Sequence, residues 1–321
     1  MGVFSRGVFG ALAAVALLGG CADNGTPQCA VGADCASGMC RADGSCVPLD
    51  DDAGPGPVDA GEGTDASAPG DGGVEPMNDG GADVDGGGLC APNHDGTITA
   101  SEIPLRAGLR ATFRVATDVT FDTAGEDLGG GRRRWDLTGP FPGDESQLVE
   151  TRDPAGAWYA DDFPGASYVT ELSVESDLLG VFAVEADSLD LLGVVSPEEG
   201  FTETHLENDP AVPALQFPLA LGDSWETTTS VSGLASGVGS FYTETYESEV
   251  DRAGELVTSF GTFEVLRIRT ELTRTVGLAV TTVVTFAFVA ECFGTVAQMR
   301  GQDYDTDQEL GELAELRRLV P

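Results

Sequence analysis

Alternating apolar and polar positions dominate the chain from about residue 100 onward. The pattern is plainest at 167–175, where Tyr168, Thr170, Leu172 and Val174 share one side of an extended chain. A repeat of two positions predicts a β-strand with one buried face. Helical periodicity is nearly absent, so the pattern favours a mostly β protein. Further strands are predicted at 146–152, 181–185, 189–195, 224–231 and 241–250.

The clearest pair of predicted strands lies late in the chain, at 262–273 and 279–289. Both runs are long and rich in β-branched residues, and Gly277 lies between them. Runs of this kind pair as an antiparallel hairpin. Residues 307–319 allow either a short helix or a last strand. The predicted core residues of the hairpin are Phe263, Val265, Ile268, Phe286 and Phe288.

A different apolar pattern opens the chain, where residues 8–18 form one short apolar run. A membrane-spanning helix needs about 20 such residues, so this run predicts a signal peptide at 1–20. Leu18-Gly19-Gly20-Cys21 resembles the lipobox of bacterial lipoproteins. The resemblance implies a lipid on Cys21, and an ordinary signal peptide with an incidental cysteine is the alternative.

The residue after the lipobox bears on the location of the protein. Residue 22 is alanine rather than aspartate, and under the sorting rule of Gram-negative lipoproteins this implies the outer membrane. No later stretch approaches 20 apolar residues, so the remainder is expected to be held outside the cytoplasm by its lipid alone.

Six cysteines remain after Cys21, and an even number in an exported chain favours disulfides. Four of them are predicted to staple a small knob at 21–48, with three possible pairings. Outer gaps of five residues disfavour a structural zinc site. The spacing resembles Dickkopf-type cysteine-rich repeats of some bacterial surface lipoproteins, which implies a knob without a defined activity. These four cysteines are Cys29, Cys35, Cys40 and Cys46.

The other two cysteines, Cys90 and Cys292, are predicted to bond to each other, the alternative being two buried free thiols. The bond would tie the start of the main domain, 90–321, to a late strand. Closing so long a loop stabilises a fold by roughly 5 kcal/mol through lost entropy of the unfolded chain.

An acidic linker is predicted at 49–89, which consists mostly of Asp, Gly, Ala and Pro and has no basic residue. Such a segment buries too little apolar surface to offset its ordering entropy, so it is expected to be disordered. The whole chain has 16 basic and 54 acidic residues, a net charge of −38. This charge repels nucleic acid, which argues against a nucleic-acid partner.

Residues 91–102 resemble the twelve-residue calcium loop of an EF-hand. The resemblance implies a weak calcium site, because the first position is Ala91 rather than aspartate and neither flank favours a helix. The alternative is a tight turn at Asp95-Gly96 without a cofactor. The implied ligands are Asn93, Asp95, Thr97 and Glu102.

Three short motifs of the main domain resemble a pattern in uncharacterised bacterial envelope proteins. They are the stretch from Phe217 to Trp225, Gly261-Thr262-Phe263, and Gly294-Thr295-Val296. The resemblance implies a curved antiparallel sheet similar to the half barrel of lipoprotein carriers, with a concavity for a lipid or peptide. A packed barrel or sandwich without a cavity is the alternative.

Candidate catalytic groups are few, since His94 and His205 are the only histidines. His205 is expected in a solvated polar loop. The basic run at 132–134 is interpreted as offsetting acidic neighbours at a strand edge, with an anionic partner as the alternative. Trp158 and Tyr159 are interpreted as half-buried aromatics, with a glycan-contact surface as the alternative.

Together these patterns predict a lipid-anchored extracytoplasmic protein that binds or displays rather than catalyses. Its ligand would be a small apolar molecule, a peptide or a glycan. A hydrolase with carboxylates converging on His205 and a purely structural envelope protein are the alternatives.

Overall fold

The computed structural model describes residues 90–174 and 176–321. The predicted signal peptide, Cys21, the four-cysteine cluster at 29–46 and the acidic linker lie outside the described residues. Within them the chain is almost entirely strands and connections, with one 3₁₀ turn at Ala100–Glu102. The predicted fold class, a mostly β protein with a curved antiparallel sheet, is confirmed.

Sixteen strands form in the described part of the chain. They are β1 Thr97–Ile98, β2 Arg110–Thr120, β3 Glu126–Gly129, β4 Arg132–Asp136, β5 Glu145–Glu150, β6 Tyr168–Ser173, β7 Ser176–Val184, β8 Ser188–Val195, β9 His205–Gln216, β10 Leu219–Ala220, β11 Ser224–Ala235, β12 Val238–Val257, β13 Thr262–Val276, β14 Ala279–Ala290, β15 Gly294–Gly301 and β16 Glu312–Val320.

Twelve strands form one curved path in the order β5-β2-β16-β15-β14-β13-β12-β11-β9-β8-β7-β6. Its two ends nearly close on each other. Arg152, just past β5, pairs with Val169 of β6, and Gln147 Nε2 donates to Glu171 Oε2 at 3.0 Å. β3 and β4 lie off this path, and β4 pairs in parallel with the last quarter of β12.

The predicted late hairpin is confirmed. β13 and β14 pair antiparallel from Leu266↔Val289 to Val276↔Ala279, and Gly277-Leu278 forms the tip. All five predicted core residues of this hairpin are buried. The choice left open at 307–319 is resolved as a strand, because β16 fills the place between β15 and β2.

Buried side chains lie on both faces of the sheet. Tyr168 of β6, Phe182 of β7 and Ile268 of β13 belong to one cluster, and since β6 and β13 are far apart in the sheet, this cluster fills the inside of the curve. On the outside, Trp135 of β4 packs edge-on against Phe288 of β14, with ring centroids 4.9 Å apart. The β3–β4 segment therefore covers the outer face.

A polar contact joins β6 to β16 across the inside of the curve. Ser173 Oγ donates to Glu315 Oε2 at 3.2 Å, and Arg317 Nη2 donates to Leu172 O at 3.1 Å. Arg317 also pairs with Glu315 within β16. These bonds help to hold the two ends of the sheet together.

Candidate functional site

A disulfide fixes the start of the folded chain. Cys90 and Cys292 are bonded, with 5.5 Å between their Cα atoms, so the predicted pairing is confirmed. Cys292 lies in the turn between β14 and β15, where its backbone N–H donates to Glu102 O at 2.7 Å. The loop from Cys90 to Glu102 is therefore attached to the β14–β15 turn through both its first and its last residue.

Three of the four candidate calcium ligands contact one another in that loop. Asn93 Nδ2 donates to Glu102 Oε1 at 2.7 Å and to Asp95 Oδ2 at 3.3 Å. Asp95 Oδ1 accepts the backbone N–H of Thr97 at 2.8 Å. Thr97 itself belongs to β1 and pairs with Ala220 of β10, so it joins the group through its backbone.

Glu102 has a second role in the same loop. Its Oε2 accepts from the backbone N–H and the hydroxyl of Thr99 at 2.8 and 2.9 Å. Thr99 precedes the 3₁₀ turn, so this is a capping box that satisfies backbone donors at the start of the turn. The carboxylate is thus occupied by hydrogen bonds from the protein.

Glu291 completes the loop and was missed by sequence reasoning. Its carboxylate accepts from the backbone N–H groups of Asn93, at 2.6 Å, and His94, at 3.2 Å. A sequence signal was available, because Glu291 precedes Cys292, and the predicted disulfide places residue 292 beside residue 90. Of the residues that the structure describes, no group of three or more His, Cys, Asp or Glu is placed to hold a metal ion.

A cleft of about 340 Å³ lies beside the loop. One wall is the loop itself, the floor comes from β12 and β13, and Arg132 of β4 stands at the rim. The lining residues are His94, Gly96, Ile98, Arg132, Ala253, Gly254, Glu264, Val265, Leu266 and Glu291.

A backbone irregularity makes room for this cleft. The pairing of β12 with β13 shifts between Val250 and Arg252, and beyond this bulge β12 runs beside β4. A Cβ added to Gly254 would lie 1.8 Å from Arg133 O, so only glycine lets the two backbones approach so closely. Because of this approach, β4 brings Arg132 to the edge of the cleft.

The cleft combines an apolar floor with charged groups at its edge. Ile98, Val265 and Leu266 are buried, whereas Arg132 and Glu264 form an ion pair with both side chains about half exposed. Glu291 adds a second carboxylate on the loop side. An apolar floor with a few polar groups around it is the usual composition of a small-ligand site.

His205 does not lie in a solvated loop, and that prediction is wrong. It begins β9, and its imidazole packs edge-on against Trp158 and Phe163, with centroids 5.6 and 5.4 Å away. Asp162 and Glu207 carboxylates lie 3.5 and 4.0 Å from Nε2. The imidazole is packed against these rings because the segment before β6 covers the start of β9.

The aromatic pair beside His205 is also packed into the protein. Tyr159 is buried, and burial raises the pKa of its hydroxyl despite the opposing charge of Arg152. Trp158 is half-buried and donates its indole N–H to Ser196 O at 3.2 Å. Trp158 therefore agrees with the interpretation as a half-buried aromatic, whereas Tyr159 is more deeply buried than expected.

The basic run at 132–134 forms β4 and faces acidic residues on three sides. Besides the Arg132–Glu264 pair, Arg134 lies 3.9 Å from Glu255 of β12, and Arg133 lies 4.0 Å from Asp127 of β3. These contacts confirm that the run offsets acidic neighbours. Its placement at a strand edge was wrong, because β4 pairs with β12 on one side and with β3 on the other.

The described residues form a mostly β domain with a nearly closed antiparallel sheet, a loop fixed by a disulfide, and a small cleft beside that loop. No protein-family model matches the chain, and neither a curated protein nor a solved structure matches it significantly. Between Cys90 and Pro321, no described helix is long and apolar enough to cross a bilayer.

Proposed function

We propose that this protein is a lipid-anchored, extracytoplasmic binding protein, held by an acyl group on Cys21 at the bacterial outer membrane. The disulfide between Cys90 and Cys292 supports export, because such bonds persist in oxidising compartments. The lipobox-like residues before Cys21 support the anchor.

We propose that the cleft beside the loop is the ligand site. The observation that carries this proposal is the apolar lining from Ile98, Ala253 and Leu266 between charged groups at Arg132 and Glu291. The ligand that fits is a small molecule or peptide end with an apolar body and a polar group, since the body would cover the floor and the polar group would meet the charges.

Native mass spectrometry of the full mature chain, purified from membranes in mild detergent, tests the ligand site. We expect a bound mass in addition to the acyl groups, and its loss in Ala253→Phe, which fills the cleft. Ala155→Phe is the matched control, because Ala155 is exposed in a loop away from the cleft. If Ala253→Phe keeps the bound mass, the ligand does not bind in this cleft.

Membrane fractionation with acyl labelling tests the anchor. We expect the wild type in the membrane fraction with incorporated palmitate, and Cys21→Ser in the soluble fraction without label. Unlabelled wild-type protein would contradict the lipid anchor and favour an ordinary signal peptide. A purely structural role remains the alternative if neither a bound mass nor turnover of ester or glycoside substrates is found.

A further inference from the structure

The exposed apolar side chains are concentrated at one end of the sheet. This end, called the apolar end here, carries the β11–β12 tip, the β13–β14 tip and the β8–β9 connection. Strand register brings the three together, since Leu234 pairs with His205 and Thr243 pairs with Thr275. Gly237 N also donates to Glu203 O at 2.7 Å.

Of the eleven large apolar side chains that the described residues expose, eight lie at the apolar end. Tyr304 belongs there because its backbone N–H donates to Thr282 O, four residues from the β13–β14 tip. Val174 belongs there because Ser176, two residues further on, lines a pocket together with the β8–β9 connection. The other three lie elsewhere on the molecule. The eight are Val174, Phe201, Val238, Phe241, Val276, Leu278, Val280 and Tyr304.

The most exposed of these residues lie at the outermost positions. Leu278 and Phe201 are 103% and 104% exposed, so their side chains touch almost nothing of the protein. Val276 and Val280 flank Leu278, and each exposes about half of its side chain. Apolar side chains this exposed, gathered on neighbouring loop tips, are suited to entering another apolar phase.

The predicted linker joins the folded chain at Cys90, which lies at the end of the sheet opposite the apolar end. Leu278 precedes the first residue of β14, whereas Cys292, bonded to Cys90, follows its last residue. Twelve residues of strand span about 40 Å. The 69 residues from Cys21 to Cys90 reach up to about 230 Å when extended, so this segment permits the apolar end to face the membrane that holds Cys21.

Charge near the apolar end restricts the kind of lipid. Glu198, Glu199 and Glu203 lie in the same β8–β9 connection as Phe201, and the chain as a whole is strongly acidic. Anionic headgroups would be repelled, whereas zwitterionic ones would not. The favoured occupant is therefore an uncharged or zwitterionic lipid surface.

We propose that the apolar end is a second membrane contact, which places Leu278, Phe201 and their apolar neighbours in the interface of a zwitterionic bilayer. This inference rests on the proposed anchor for its biological setting, but the contact itself needs no acyl group. The chain would then touch its membrane at both the lipid and the apolar end, and the cleft would face away from the bilayer.

Flotation with phosphatidylcholine vesicles, using the mature chain with Cys21→Ser, tests the contact without the acyl group. We expect measurable binding, and a partition coefficient about tenfold lower in Leu278→Asn/Phe201→Asn, because two exposed apolar side chains no longer enter the interface. Leu221→Asn is the matched control, since Leu221 is 55% exposed near the opposite end of β11 and should bind as the parent does. Phosphatidylglycerol vesicles should bind more weakly.

Two results would overturn the proposal. One is the absence of vesicle binding by the folded parent. The other is concentration-dependent dimerisation, measured by sedimentation, that Leu278→Asn abolishes, because the apolar end would then pair with a second copy. Failure of the anchor is scored separately by palmitate labelling at Cys21, so the two proposals fail independently.

Discussion

Arg267 of β13 and Asp251 of β12 form a two-pronged ion pair, with Nε–Oδ1 at 3.0 Å and Nη2–Oδ2 at 2.6 Å. The Arg267 side chain is fully buried and that of Asp251 almost so. The remaining donors reach Glu309, at 2.8 Å from both Nη atoms, and Thr123 O, at 2.6 Å. Burial opposes the charge, yet these bonds outweigh it and raise the pKa of Arg267.

Arg267→Met should lower the free energy of unfolding by about 3–5 kcal/mol, because it leaves the buried Asp251 carboxylate without its partner. Glu309 keeps its contacts with Arg252 and Thr123. Urea denaturation of the full chain measures the change. Arg132→Met is the control, since the Arg132–Glu264 pair is half exposed and should be worth less than about 1 kcal/mol. Equal losses in the two variants would contradict the structural role given to Arg267.

This cluster marks a limit of sequence reasoning. Alternation placed Ile268 in the core, and the register confirms it. The same alternation places Arg267 on the opposite face, which would be solvated if the β3–β4 segment did not cover it. That cover depends on contacts with Trp135, which is more than 130 positions away in the chain. No local pattern carries such information.

A comparison of the β13–β14 hairpin with β9 shows the same limit in another way. The β13–β14 hairpin was predictable because β-branched residues and alternation agree over its whole length. β9 was missed because Pro210 and Pro213 interrupt its sequence, and prolines usually indicate an edge or a loop. The cleft could not be predicted at all, since it depends on a bulge in β12 and on the approach of β4.

Gly254 provides a test of the close packing between the backbones of β4 and β12. Gly254→Ala should destabilise the protein by about 1–3 kcal/mol, because its Cβ would overlap Arg133 O and push β4 away from β12. Gly261→Ala is the matched control, since a Cβ there meets nothing within 4 Å and should change stability by less than about 0.5 kcal/mol. Thermal unfolding compares them, and equal midpoints would argue against close backbone packing at β4.

The ion pair between Asp144 and Arg318 should make the free energy of unfolding depend on pH. Arg318 Nη1 and Nη2 donate to its two carboxylate oxygens at 2.8 and 2.6 Å. These hydrogen bonds outweigh burial and hold the pKa of Asp144 below its usual value of 3.8. The unfolded chain therefore takes up a proton at higher pH than the folded one. The stability from this pair is complete above about pH 4 and is lost as the pH falls through the folded pKa.

Asp144→Asn should accordingly cost about 1.5–3 kcal/mol at neutral pH, and its deficit relative to wild type should shrink below pH 4. Denaturant unfolding at a series of pH values measures both effects. In an Arg318→Met background the Asp144→Asn change should cost much less. A deficit that stays constant with pH would mean that the carboxylate is not held ionised by Arg318.

The Cys90–Cys292 bond should stabilise the whole described fold rather than the loop alone. Replacing both cysteines by serine should lower the free energy of unfolding by about 2–5 kcal/mol, because the unfolded chain regains the freedom of a long loop. Adding a reductant to the wild type should reproduce the loss, and should leave the double variant unchanged. A variant as stable as the wild type would show that the loop is held by Glu102 and Glu291 alone.

Glu102 separates the two interpretations of the EF-hand-like loop. Its Oε2 already accepts two bonds from Thr99 and its Oε1 one from Asn93, so a calcium ion would have to compete with them. We expect millimolar calcium to change the unfolding midpoint of the wild type little, and Glu102→Gln to cost about 1 kcal/mol through the weakened cap whether or not calcium is present. Differential scanning calorimetry with calcium or a chelator measures both. A clear rise of the midpoint with calcium, absent in Glu102→Gln and in Asp95→Asn, would instead establish the metal site at Asn93, Asp95 and Glu102.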